Sequence, residues 1–440
     1  MTGPTAALEG LRSTPPNSGS PRTLIGGRVG TFSEEAVEDA ANVPLPTGLS
    51  APRSLEREPL DPESLRAKIR QHLLSQGFMI RNDRILAPVT EDKERIRKLH
   101  AEAVATGRRS AAPILQPLET RFLSRLASGS EVSPSRIIPA LVPIIDRRSF
   151  LAKLWRWCAL HWSIPVSTGY GRRMRFLVVD ISNGDKVIGL IGLADPVFAL
   201  ACREQWVGWS RDERRSRLTC MMDAYVLGAV PPYNRLLAGK LVALLATSTE
   251  VRLAFAEKYA HQRTLIADRD PDAQLAAITT SSALGRSSIY NRLTGPDRIK
   301  AFIPVGYTSG SGDFHFSGEI YEYLASFAMH VTPEGQTHRH NRWTGQSFRN
   351  RREVVQRSLD ALGFDSRQLR VHGIRRQVFI APMMENAVGF LRGVANQPSW
   401  RTYSVDDLSE WWRKRWAIGR AARDSSWRDF EPGSWRLWSS

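Results

Sequence analysis

The chain has 440 residues, with 61 Lys and Arg against 44 Asp and Glu and a net charge of +17; its isoelectric point is about 10.3. That length supports two or three domains, and the charge surplus points to a polyanionic partner, with DNA or other nucleic acid ahead of anionic membrane. Arg dominates the basic set, which favours phosphate recognition over simple solubility. Cys158, Cys202 and Cys220 lack both CxxC spacing and a disulfide pattern, so they read as reduced thiols of a cytoplasmic protein. With no apolar signal core and no 18-residue apolar run, the chain is expected neither to be exported by a standard signal nor to enter a membrane.

Residues 1–60, rich in Pro, Gly, Ser and Thr, read as a disordered leader. Residues 61–143 form a helical N-terminal module. Asp61-Pro62 is a helix start, Leu65, Ile69, Leu73 and Leu74 make one apolar face, and Gly77 ends it. Further helices are predicted over Glu91–Thr106 and Leu118–Leu126. The core, 144–330, opens with an amphipathic helix, Arg148–Trp162. Strands Arg175–Ile181 and Val187–Leu193 follow, joined by the Asn183-Gly184 hairpin turn. Leu218–Val230 is a buried strand that stops at Pro231-Pro232, and helices are predicted over Asn234–Ala246 and Thr249–Tyr259. Strand Ala276–Thr280, helix Ala283–Leu293 and strand Phe302–Tyr307 complete the core. Residues 331–440 are a basic, Trp/Arg-rich C-terminal extension: from Trp400 onward it holds seven of the thirteen tryptophans, with a helix from Ser404. The fold class is therefore α/β with a mixed sheet.

Four constellations carry candidate chemistry. In the first, a buried strand runs through Tyr233-Asn234 into a helix start, which offers backbone N–H groups to an anion, with Arg235 and Lys240 nearby. A Pro-stiffened connection explains the same residues. In the second, Thr279, Thr280, Ser281 and Ser282 end a strand with Arg286 one turn on, a hydroxyl and guanidinium set that either holds an anion or caps a helix. In the third, Asp313 and His315 share one face of an extended segment after a Gly-rich loop and are placed to hydrogen-bond as an acid–base unit. The fourth is acidic: Asp180, Asp195 and Asp223 lie in or beside apolar strands and need either an Arg partner, such as Arg173, Arg175 or Arg203, or a function. No E-x-K element follows these acids, so a nuclease site is not drawn. His330, His338 and His340 lack the companions of a zinc site, and no metal is assigned. For nucleic acid the candidate contacts are Arg342, Arg349, Arg351 and Arg352, with Lys414 and Arg415 in the tail.

The hairpin, long strand, helix, strand and helix order resembles the GNAT acetyltransferase superfamily. The run Arg235-Leu236-Leu237-Ala238-Gly239-Lys240 stands where that superfamily cradles acyl-CoA pyrophosphate, although Ala238 and Lys240 occupy positions expected to be small and glycine-like. By the same resemblance Tyr290 is the general acid; a core tyrosine explains it equally. The motifs from Val166 to Phe176, Gly192–Val197, Met222–Lys240, Ser282–Leu293 and His372–Arg376 together resemble the DruA family of the Druantia anti-phage systems, over about residues 149–376. A more distant domain of this kind occurs fused to transposases. The resemblance implies a bacterial, cytoplasmic, DNA-associated accessory component beside other defence-system subunits, including a helicase-like protein. The alternatives are a GNAT-like transferase acting on nucleic acid, using acyl-CoA, and a mobile-element DNA-processing protein.

Overall fold

The computed structural model describes residues 60–438, apart from 82–83, 89–90, 167–170, 261–272 and 333–347. Helix α1 (Pro62–Ser75) starts where Asp61 accepts a hydrogen bond from the Ser64 amide at 3.0 Å. A small antiparallel pair, β1 (Met79–Arg81) and β2 (Arg84–Leu86), follows. Then come α2 (Lys93–Leu115) and α3 (Glu119–Leu123).

The central sheet has seven strands: β3 (Pro139–Pro143), β4 (Arg173–Asp180), β5 (Lys186–Ala194), β6 (Met221–Ala229), β7 (Ala277–Ser281), β8 (Ile303–Tyr307) and β9 (Gln377–Pro382). Their order is β3-β4-β5-β6-β7-β9-β8. Every pair is antiparallel except β6–β7. The β4–β5 hairpin turns through the 3-10 stretch Ile181–Asn183 and then Gly184 and Asp185, both at positive φ, one residue later than a two-residue Asn-Gly turn would place them. Helix α4 (Phe150–Ala159) packs on one face of the sheet. On the other lie α7 (Ala238–Leu245), α8 (Thr249–Tyr259) and α13 (Val405–Trp412). Between β5 and β6 sit the short helices α5 (Ala201–Val207) and α6 (Arg211–Arg217).

A third core is built by α1 with α9 (Glu319–Val331), α10 (Phe348–Ala361) and α11 (Ser366–Leu369). The chain ends with α12 (Ala387–Leu391), α13 and α14 (Ile418–Arg423). Tail residues Trp412 and Trp427 join the α7-side core, and Phe430 joins the α4-side core.

Two expected elements differ. The helix predicted over Ala283–Leu293 is a loop with a single 3-10 turn at Tyr290–Arg292. Gly285 takes positive φ and the Ser287 hydroxyl accepts from the Tyr290 amide, so local side-chain bonding replaces the helical ladder. The helix predicted from Asn234 is split into a 3-10 turn, Tyr233–Leu236, and α7, with Leu237 at φ +63° between them. Strand β3, within the stretch read as all-helical, and strand β9 were not predicted; both are short and almost wholly buried, so neither alternates.

Candidate functional site at the β6–β7 divergence

The single parallel pair of the sheet is short. Strand β6 meets β7 only from Met221↔Ala277 to Asp223↔Thr279, and beyond that point it runs on without β7 beside it. Threonine hydroxyls bridge the separating strands: Thr279 donates to the Asp223 carboxylate at 2.8 Å, and Thr280 to the Ala224 carbonyl at 2.8 Å. Burial pushes the Asp223 carboxyl up to about 6, against the lowering effects of the Thr279 hydrogen bond and the positive field of Arg203.

Tyr290 reaches the other face of the divergence from the 3-10 turn. Its ring packs on Phe302 and Phe379 at 5.0 and 5.2 Å, and its hydroxyl bonds Thr280. Burial pushes its phenol up to about 12, so it keeps its proton at neutral pH. Asp223 with Thr279, and Tyr290 with Thr280, are thus two separate pairs on opposite faces of the sheet at the divergence, a carboxyl on one face and a protonated phenol on the other.

The other sequence candidates have different partners. Asp195 pairs with Arg172, accepting from its backbone amide at 2.8 Å and from Nε at 2.6 Å. The same guanidinium donates to the carbonyls of Thr219 and Met221, so the pair clamps the start of β4, the end of β5 and the start of β6. Asp180 is buried and accepts from the amides of Ile138 and Ser182 and from the Tyr233 hydroxyl. The Tyr233 side chain is therefore part of the core and wholly buried.

The predicted Asp313–His315 hydrogen bond does not form. Asp313 pairs with Arg370, and His315 Nε2 donates to the Leu369 carbonyl at 2.8 Å. His315, His100 and His372 share a buried layer with Phe314. Desolvation, reinforced by neighbouring cationic groups, holds all three far below the usual histidine range, at about 3 for His100 and His315 and about 4 for His372.

Around the start of α7, Asn234 and Arg235 are exposed. Arg235 donates to the Ser426 carbonyl at 2.5 Å, and Trp412 Nε1 donates to the Leu237 carbonyl at 3.1 Å. Lys240 lies 4.4 Å from the Trp416 ring centre, held below its usual value by desolvation and by Arg415 and Arg292. Thr279 is buried within the divergence, while Ser281 and Arg286 are exposed at its rim.

Of the nucleic-acid candidates, Arg342 lies outside the described residues, and so does the side chain of Arg349 in the first turn of α10. Arg351 is tied inside the helical core, donating to the Phe316 carbonyl and lying 5.0 Å from the Tyr321 ring. Arg352, Lys414 and Arg415 are exposed, with Lys414 paired to Glu410. The sequence did not single out Arg172, since Arg173 and Arg175 follow within three residues and spacing does not say which one reaches Asp195. Among the described residues, no group of three or more His, Cys, Asp or Glu is placed to hold a metal, and no helix is long and apolar enough to cross a membrane.

The family model for "Druantia protein DruA" matches residues 90–393, well over half of the chain. The chain belongs to the DruA family. It is 38% identical over 365 residues to a Druantia protein DruA of Escherichia coli (strain UMEA 4076-1), covering 83% of this chain and 89% of that one. No solved structure matches. The family span takes in the whole β6–β7 divergence, the Arg172–Asp195 clamp and the histidine layer. It ends before α13, so Lys414 and Arg415 fall outside it.

Proposed function

We propose that this protein is a DNA-associated accessory component of a bacterial anti-phage defence system, acting in the cytoplasm beside other subunits of that system, a helicase-like protein among them. Family membership supports the defence role. The observation that carries DNA association is the group at the start of α7, where Lys240, Arg292 and Arg415 crowd one another beside the Trp416 ring and the groups acting on Lys240, besides its own burial, are both cations. Such a group gains by receiving phosphate. Binding of a short duplex by the full chain, followed across a salt series, tests the reading. A steep fall of affinity with salt is expected, since each phosphate neutralised adds about 0.9 to the slope of log K against log salt. No binding at 50 mM salt would sink it.

A second reading, a GNAT-like transferase acting on nucleic acid, is supported by the order hairpin, long strand, helix, strand and by Tyr290, a buried phenol that holds its proton at the divergence. The residues implied for acyl-CoA do not form an open cradle. The tail occupies Arg235 and the Leu237 carbonyl, Ala238 is fully buried, and Trp416 lies against Lys240. No catalytic step is drawn through acyl-CoA. Native mass spectrometry with acetyl-CoA separates the two readings: an adduct that survives in the protein and turnover that disappears in Tyr290→Phe would put the transferase first. A mobile-element DNA-processing role would instead show as metal-dependent cleavage of the duplex.

A further inference from the structure

Five cations from four parts of the chain meet at the start of β4, remote in sequence from the tail. Arg173 and Arg175 belong to β4, Arg156 to α4, Arg147 to the β3–α4 connection and Lys258 to the last turn of α8. Lys258 Nζ donates to the Arg173 carbonyl at 2.9 Å, which ties α8 to the strand. The Arg173 guanidinium lies 4.6 Å from the centre of the Tyr225 ring. That of Arg175 lies 5.0 Å from the Trp155 ring, and its Nε donates to the Tyr225 hydroxyl at 3.2 Å.

The rings have their place because of a backbone irregularity. Gly192 pairs with Val226 and Leu193 with Ala224, which leaves Tyr225 as the extra residue of a bulge. A Cβ on Gly192 would lie 2.8 Å from the Tyr225 ring and 2.9 Å from the Trp155 ring, so glycine there lets both rings come close to the strand. The rings in turn carry the guanidinium planes.

This arrangement has the features of an anion site. Desolvation lowers Arg156, Arg173 and Lys258, and the cations of the group lower them further: Arg175 acts on all three, and Arg147 on Arg173 and Lys258. Asp195 takes two bonds from Arg172, and Asp146 accepts from the Arg148 amide at 2.8 Å. Arg147, Arg156 and Lys258 are exposed, and Arg173 and Arg175 half-buried, so the group opens to solvent. Crowding like charges is unfavourable for the unbound protein, and a polyanion relieves it.

We propose that Arg147, Arg156, Arg173, Arg175 and Lys258 form a strip that binds the phosphate backbone of nucleic acid and supplies the larger share of the protein's DNA affinity. This deepens the DNA-associated reading and rests on it. The test is fluorescence anisotropy of a labelled 20-base-pair duplex, and of its single strand, with the full chain across a salt series. The variant R147Q/R156Q/K258Q changes exposed residues, gives up the Lys258–Arg173 hydrogen bond and is checked for a retained cooperative unfolding transition; K414Q/R415Q serves as the comparison. The strip variant is expected to bind at least tenfold more weakly, with a salt slope shallower by about 2.7, while K414Q/R415Q loses less. Such a loss with either nucleic acid supports the strip. Wild-type affinity and slope in the strip variant, with the loss falling on K414Q/R415Q instead, would overturn it and leave DNA association standing. Absence of binding by the wild type to either nucleic acid would overturn both. Capture by phosphatidylserine vesicles, lost in the strip variant and unmatched by any nucleic acid, would overturn the strip's assignment in favour of a membrane surface.

Discussion

The C-terminal tail and the strip at the start of β4 are made of the same residue types, Arg with Trp or Tyr, and they use them in opposite ways. In the tail the polar groups are consumed. Arg413 donates to the Ile137 carbonyl at 2.7 Å, Arg420 to the Arg235 carbonyl and the Asp424 carboxylate, and Trp411 and Trp412 to the carbonyls of Thr294 and Leu237. Trp412 and Trp427 are buried. The tail is mortar between α7 and the sheet, with only a few cations left outside. In the strip the guanidiniums of Arg173 and Arg175 rest on rings, and the cations act on one another. A basic, aromatic composition therefore does not distinguish a strap from a binding surface; what the donors are bonded to does.

The largest effect that separates the two regions is one of stability. Trp412→Ala removes a wholly buried indole from the α7-side core and one of the two donors to the Leu237 carbonyl. The expected loss is about 3–5 kcal/mol in denaturant unfolding. Arg147→Gln and Arg156→Gln in the strip should move the same midpoint by no more than about 0.5 kcal/mol. A Trp412→Ala protein as stable as the wild type would show that the tail is not part of the core.

Next in size is the pH response of the divergence between the strands. Folding raises the Asp223 carboxyl from its ordinary 3.8 to about 6, so the folded state favours the protonated form. Its contribution is complete below about pH 4 and is lost as pH rises through 6. Asp223→Asn keeps an acceptor for Thr279 and cannot ionise. The variant should match the wild type near pH 4 and exceed it by roughly 1–3 kcal/mol at pH 8. Equal stability at both pH values would show that Asp223 is ionised at little cost. Tyr290→Phe comes below this, at about 1 kcal/mol for the lost bond to Thr280, because the ring keeps its packing on Phe302 and Phe379. A loss of several kcal/mol would mean that the hydroxyl organises the divergence.

Much of the sheet was legible because its signals are local. The Asn183-Gly184 turn, the apolar runs of β4 to β7 and the Asp61-Pro62 helix start each depend on neighbours in sequence. The mixed α/β class followed from them. What was not legible depends on distant pairing. Asp313 and His315 are two apart, yet Arg370 and the Leu369 carbonyl, more than fifty residues on, take their hydrogen bonds. Tyr233 was placed at a helix start that offers backbone N–H groups, and nothing in its neighbours marked that Asp180, at the end of β4, takes its hydroxyl. The cationic strip is assembled from residues 147 to 258 by three elements and one connection, and nothing in their spacing marks it. Only Arg173 and Arg175, alternating on one strand, gave a hint, and as partners for buried acids they pointed the wrong way.

The smallest effect is the most specific to the strip. Arg156 is exposed, and besides desolvation the group acting on its charge is Arg175, a like charge. Solvent screens that repulsion heavily, so the energy at stake is a few tenths of a kcal/mol. Its sign is nevertheless unusual. Replacing an arginine that only packs or pairs destabilises a protein, whereas Arg156→Gln should stabilise this one by about 0.3 kcal/mol at low ionic strength, an advantage that should vanish at 0.5 M salt. Arg413→Gln in the tail should destabilise by about 1 kcal/mol or more at either ionic strength, because it leaves the Ile137 carbonyl without its donor. Paired thermal melts of the two variants at low and high salt read both signs. If Arg156→Gln destabilises as Arg413→Gln does, its charge is already balanced in the free protein, and the strip loses the repulsion that a phosphate backbone would relieve.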